Sequence, residues 1–159
     1  NVAVRIVPYL IAMTAHTAEA LALAQSACAH MFEADVASRI TMGMSLMHCA
    51  PGEAQLQMTV TSNHVNGLGL CHGGFIFTLA DSAFAFACNS RNQASVASGC
   101  SIEFLEASVL GDVLTAQATE QLVRGRAGVY DIRVSNQEGA TIALFRGKST
   151  AIKGTVLPV

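Results

Sequence analysis

The chain has 159 residues, 52% of them hydrophobic and 13% charged, with a net charge of −2. That length fits one domain with a real core, and the charge gives nucleic acid no basic surface to bind. No run approaches the ~20 uninterrupted apolar residues of a membrane helix, so the apolar surplus predicts burial between subunits and hence a homo-oligomer.

Residues 1–16 read as an N-terminal extension, disordered or foreign to the domain. They carry one Arg and a short apolar stretch without a convincing small-residue cleavage site, so a signal peptide is not expected. The domain is placed at 17–153 and a C-terminal tail at 154–159. Residues 17–37 predict a helix, because Leu21, Ala24, Cys28, Met31, Phe32 and Val36 recur at three- and four-residue spacing. Thr17 is its predicted N-cap. Strands are predicted at 41–49 and 54–61 around Pro51-Gly52, the second with Leu56, Met58 and Val60 alternating against Gln55, Gln57 and Thr59. A polar loop spans 62–72. A helix apolar around nearly its whole circumference follows over about 73–90.

Four further strands are predicted at 95–106, 112–123, 127–136 and 140–152, with short connections that imply antiparallel pairing. One buried helix covered by an antiparallel sheet is an α+β layer arrangement. That helix needs cover on both sides, which a second subunit's helix would supply. Five cysteines without CxxC or zinc spacing predict reduced, buried thiols and a cytoplasmic home. Charge is uneven along the chain. Residues 1–123 hold three Lys/Arg against nine Asp/Glu, whereas 124–159 hold six against two. A basic C-terminal third suits a small anionic ligand, or is an ordinary solvated strand face.

Asp81 is the only formally charged residue between Glu53 and Arg91, and it lies inside the apolar helix. A buried carboxylate is costly unless paired or used. Neighbouring hydroxyls could satisfy it, but Asn66-Gly67 and His72-Gly73-Gly74 just upstream favour catalysis. The stretch Asn66-Gly67, Cys71-His72-Gly73-Gly74, Leu79-Ala80-Asp81, Ala83-Phe84-Ala85 and Cys88-Asn89-Ser90 resembles the hotdog-fold acyl-CoA thioesterases of the phenylacetate-degradation (PaaI) type. The likeness continues through Val96-Ala97-Ser98, Phe104-Leu105, Gly128 to Ile132 and Ala143 to Ser149, and covers roughly residues 25–153.

The resemblance implies a hotdog fold and hydrolysis of aryl-acyl-CoA, such as hydroxylated phenylacetyl-CoA, in dimers paired into tetramers. It implies no metal or redox cofactor, CoA being part of the substrate. Asp81 falls on the catalytic carboxylate, Gly73 on the backbone N–H that binds the thioester oxygen, Asn66 on the positioning amide, and His72 on the histidine that supports the loop. Some related thioesterases also place a Ser or Thr early on the strand after the helix. Ala97 stands there, with Ser98 beside it, and Ser82 is a further hydroxyl on the helix.

The residues suit this chemistry on their own terms. First-turn N–H groups have no intrahelical partner, and the helix dipole adds positive potential there. Gly73 and Gly74 lack side chains, so a substrate can approach that backbone to form an oxyanion hole. A carboxylate can then act as base or nucleophile. Gly73 and Asp81 are eight residues apart, about 12 Å along one helix at ~1.5 Å per residue. One Asp side chain cannot span that gap, so a shared site requires two antiparallel helices at a two-fold interface. For substrate binding Gly74, Arg126, Arg146 and Lys148 are the candidates, the last three as phosphate contacts. Cys71-His72 as a cysteine hydrolase and His64 with His72 as metal ligands are the weaker readings. A hydratase or dehydratase and a non-catalytic acyl-CoA-binding regulator are the functional rivals.

Overall fold

The computed structural model describes residues 16–158. Most of the expected extension at 1–16 lies outside the described residues. Helix α1 spans Ala18–Ala34, and Thr17 Oγ1 caps it by accepting from the Ala20 N–H at 3.2 Å. It ends three residues earlier than the periodicity predicts. Asp35 interrupts it, and the chain continues as one π-helical turn, Ala37–Thr41, so strand β1 begins only at Ser45. Asp35 also explains the turn. Its carboxylate accepts from the Ser38 N–H at 2.9 Å and the Ser38 hydroxyl at 2.7 Å.

Strands β1 (Ser45–Ala50) and β2 (Glu53–Thr59) form a hairpin, and α2 spans Gly73–Asn89. Strands β3 (Gln93–Phe104), β4 (Val113–Arg124), β5 (Ala127–Ser135) and β6 (Thr141–Thr155) complete one antiparallel sheet in the order β1-β2-β4-β5-β6-β3. The alternation in β2, β4 and β5 sends Leu56, Met58, Leu114, Ala116, Tyr130, Ile132 and Val134 inward onto α2.

Consecutive pairing fails between β3 and β4. The connection 105–112 is anchored elsewhere: the Cys71 N–H donates to Ser108 O at 2.7 Å and the Val60 N–H to Asp112 O at 2.8 Å. It carries the chain past the start of α2 to the side of β2, leaving β3 paired with β6 at the sheet edge. This is the α+β hotdog architecture the resemblance implied. Strand β6 also runs beyond the expected boundary at 153, and Asn92 Oδ1 holds the tail through the Val156 and Leu157 N–H groups at 3.1 and 2.8 Å.

The expectation of five reduced thiols is corrected for one pair. Packing α1 on β1 brings Cys28 and Cys49 to a Cα separation of 6.6 Å, and their sulfurs are bonded. Cys71 and Cys88 are buried thiols, and Cys100 is exposed on β3. Among the described residues no helix is long and apolar enough to cross a membrane.

The tightest seat of α2 on the sheet is Phe84 against Gly147. A Cβ on Gly147 would meet the Phe84 ring at 2.7 Å, and Phe84 also contacts Phe145 and Tyr130 at ring-centroid distances of 6.1 and 5.5 Å. We therefore expect Gly147→Ala to destabilise the protein by about 1–3 kcal/mol through overpacking. Urea denaturation checks this, and an unchanged midpoint would rule out the close seat.

Candidate active site

The start of α2 is built by the loop before it. Asn66 Oδ1 accepts from the Leu68 and Leu70 N–H groups at 2.8 and 3.2 Å, and the Asn66 N–H donates to Leu70 O at 2.7 Å. This side-chain turn consumes the amide oxygen of Asn66 and leaves its NH2 as a donor. His64 is buried, and its Nδ1 accepts from the Thr61 N–H at 3.2 Å, so it holds the loop. His64 O in turn accepts from the His72 N–H at 2.8 Å.

His72 is the N-cap of α2, with φ −66° and ψ 132°, and its Nδ1 accepts from the Gly74 N–H at 2.9 Å. His72 thus ties the loop to the first turn of the helix. The Gly74 N–H is thereby capped and is not a free donor. The Gly73 N–H has no acceptor among the described residues. It is the donor left open at the positive end of the helix. It opens on a cleft of about 410 Å3 lined by Asn66, Leu70, Gly73, Ile76, Phe104 and Leu105. Asn66 and Gly73 are thereby brought together, with two N–H donors in a cleft of mixed lining that also includes Glu106 and Ser108.

Asp81 lies two turns further along α2. Its carboxyl is half-buried, and that burial raises its pKa above the usual carboxylate range. No side chain among the described residues donates to it. Gly74, Thr78, Asp81 and Ala85 lie at helical spacing and form the stripe of α2 that the sheet leaves incompletely covered. Three of these four residues are small, so a second helix can approach closely. The neighbouring hydroxyls are engaged elsewhere. The one Ser38 proton goes to Asp35, so Ser82 donates to Ser38 Oγ at 2.9 Å. Ser98 sits in a bulge of β3 and donates to Lys148 O at 3.2 Å, while Ala97 pairs with Ser149.

The cysteine hydrolase has no support. Burial, with the Asp112 charge adding to it, pushes the Cys71 thiol up to about 11, and His72 Nδ1 is turned to Gly74. Burial likewise lifts Cys88 to about 12.

The cations fall on other surfaces. Phe145 and Gly147 face α2, so Arg146 and Lys148 project from the opposite sheet face. Within one protomer they do not join Gly73 or Asp81. Arg146 forms a bidentate pair with Asp131 at 2.6 and 2.7 Å, which holds the Asp131 carboxyl below its usual range. The Arg126 Nε–H donates to Ala151 O at 2.9 Å. Of the three, only the Lys148 side chain makes no hydrogen bond or ion pair among the described residues. The Asp131 pair was legible in principle: a hairpin turning at Gln137-Glu138-Gly139 sets Asp131 across from Arg146.

The profile of the thioesterase superfamily matches residues 68–143. The acyl-coenzyme A thioesterase PaaI of Escherichia coli (strain K12) is 47% identical over 126 residues, 79% of this chain and 89% of that protein. The solved E. coli PaaI protein, from the phenylacetic acid degradation operon, superposes with a TM-score of 0.79 at 45% identity, covering 84% of this chain and 98% of that one. A hypothetical thioesterase with coenzyme A from Streptococcus pneumoniae TIGR4 superposes with a TM-score of 0.68 at 26% identity, covering 70% of this chain and 87% of its own.

The raised pKa of Asp81 has a consequence for stability. A carboxyl whose folded pKa exceeds its unfolded one gives its full support below the unfolded value, about 3.9 for Asp. That support is lost as pH rises through the folded pKa. Asp81→Asn should therefore melt higher than wild type at pH 7 and lose the advantage below about pH 4. Calorimetry at both pH values checks this, and a mutant less stable at pH 7 would mean the carboxylate is compensated.

Proposed function

The chain belongs to the thioesterase superfamily and is a thioester hydrolase of the hotdog fold, and we propose that it hydrolyses aryl-acyl-CoA thioesters such as (hydroxy)phenylacetyl-CoA to the free acid and CoA. The observation that carries this reading is the open Gly73 N–H, facing a cleft beside the free amide donor of Asn66. The relative from the phenylacetic acid degradation operon supports the aryl acyl group, and the neighbour solved with coenzyme A supports the CoA moiety.

The thioester carbonyl oxygen accepts from the Gly73 N–H, and negative charge developing on it is stabilised by that donor and the helix dipole. The Asn66 NH2 donates to the same oxygen or to the attacking group. Asp81, made more basic by burial, takes a proton from water as that water attacks, or attacks the carbonyl itself to form an anhydride. Water then hydrolyses the anhydride, and in a single turnover in 18O-water attack at its Asp81 carbonyl leaves label in that carboxyl, which the base route never does. CoA departs as the thiolate and is then protonated.

The carboxylate is supplied by a second copy. With Gly73 of one helix opposite Asp81 of an antiparallel partner, the two-fold axis passes near Phe77, midway between them. The incompletely covered stripe through Asp81 and the unpaired edge of β3 both favour this dimer. Two dimers then form the tetramer. For the phosphates of CoA, Lys148 is the leading contact because its ammonium is unengaged. Arg126 and Arg146 follow, each needing to keep or exchange its present partner.

Wild type should release free thiol from phenylacetyl-CoA and hydroxyphenylacetyl-CoA, with Asp81→Asn slower by roughly 10²–10⁴-fold. Gly73→Pro removes the N–H at a first-turn position whose backbone suits proline, after a residue already extended, and requires the half-exposed Phe104 ring to shift by a few tenths of an ångström. Each variant alone should be inactive, and co-expression should restore activity through mixed dimers holding one intact site. Absence of recovery in verified mixed dimers would place the site within one subunit.

A further inference from the structure

Phe104 ends the edge strand beside the start of α2. A Cβ built on Gly73 would meet its ring at 3.1, 3.3 and 3.5 Å. Glycine at 73 therefore makes room for this ring as well as for a substrate. The strand end is fixed by backbone: Phe104 pairs with Ala143, and the Leu105 N–H donates to Ile142 O at 2.9 Å. Yet Phe104 remains 52% exposed. The ring is thus held against the helix on one side and open on the other, where it forms a wall of the cleft with Leu70, Ile76 and Leu105. Any acyl group that presents its carbonyl to the Gly73 N–H enters beside it.

We propose that Phe104 is the residue that selects the acyl group, favouring an aryl ring close to the carbonyl over a straight alkyl chain. This rests on the hydrolase reading above. An aryl ring covers the open side of Phe104 in an offset or edge contact that adds to simple burial. An alkyl chain gains burial without that added contact, and it also loses rotational freedom on ordering. Phe104 makes no bond to the reacting atoms, so its effect falls on the ratio between substrates.

The test compares kcat/KM for phenylacetyl-CoA and hexanoyl-CoA in wild type, Phe104→Leu and Phe104→Tyr, with light scattering on each. Phe104→Leu should lower the aryl-to-alkyl ratio by roughly 3- to 10-fold, the range an aromatic contact supports. Phe104→Tyr should keep the ratio, and assembly should be unchanged. Equal losses on both substrates, an unchanged ratio in Phe104→Leu, or loss of assembly in place of selectivity would each overturn the assignment. Wild type that releases thiol from neither ester fails the hydrolase reading itself, a result distinguishable from all of these.

Discussion

A helix with almost no polar face must be kept from water, and its closest seat is the Phe84 ring on the backbone of Gly147. Any side chain at 147 would lift α2 from the sheet. Ser82, buried on the same helix, donates to Ser38 and so ties α2 to the turn after α1. Together these contacts fix the rotation of α2 as well as its depth. Rotation matters because it decides which stripe stays open, and that stripe carries Asp81. The position of the one carboxylate in the apolar helix is thus a consequence of how aromatic and small residues mesh on its far side.

The first turn of α2 divides its donors by a similar economy. A helix start offers several N–H groups without partners. His72 folds back to take the one at Gly74, and Gly73 keeps its own free. The loop from 62 to 72 enforces the division through Asn66 and His64, whose side chains bond backbone groups nearby. Asn66 then has only donors left. The start of α2 consequently presents two N–H donors, suited to an electron-rich carbonyl oxygen, in a cleft whose mixed lining sets Phe104 and Leu105 beside Glu106 and Ser108.

Much of this was legible in the sequence because it is local. Thr17 caps α1, strand alternation marks the inward face, and His72-Gly73-Gly74 marks the start of α2. What was missed depends on contacts between distant segments. The disulfide needs α1 seated on β1, a relation that 21 residues of separation do not encode. The departure of β4 from β3 is set by hydrogen bonds from Val60 and Cys71 to the 105–112 connection. Which of Gly73 and Gly74 keeps a free N–H depends on where His72 caps the helix. Phe104 entered only within the family likeness, since its place beside Gly73 depends on the β3–β6 register.

Asp81 shows why fold and chemistry are coupled here. A carboxyl on an apolar helix, with burial raising its pKa and no donor nearby, is poorly solvated when ionised. Folding alone gives no reason for it, since Ala or Leu on that stripe would serve an interface better. What an isolated protomer cannot offer is a group for the carboxylate to work on, because its own Gly73 is about 12 Å away at helical rise. An antiparallel partner changes both conditions at once. It covers the stripe, deepening the desolvation that makes the carboxylate a stronger base, and it brings the second Gly73 N–H to the place where charge will develop. In the dimer we propose, assembly and catalysis rest on the same surface, so a change that weakens the helix pair should lower activity by dismantling the site.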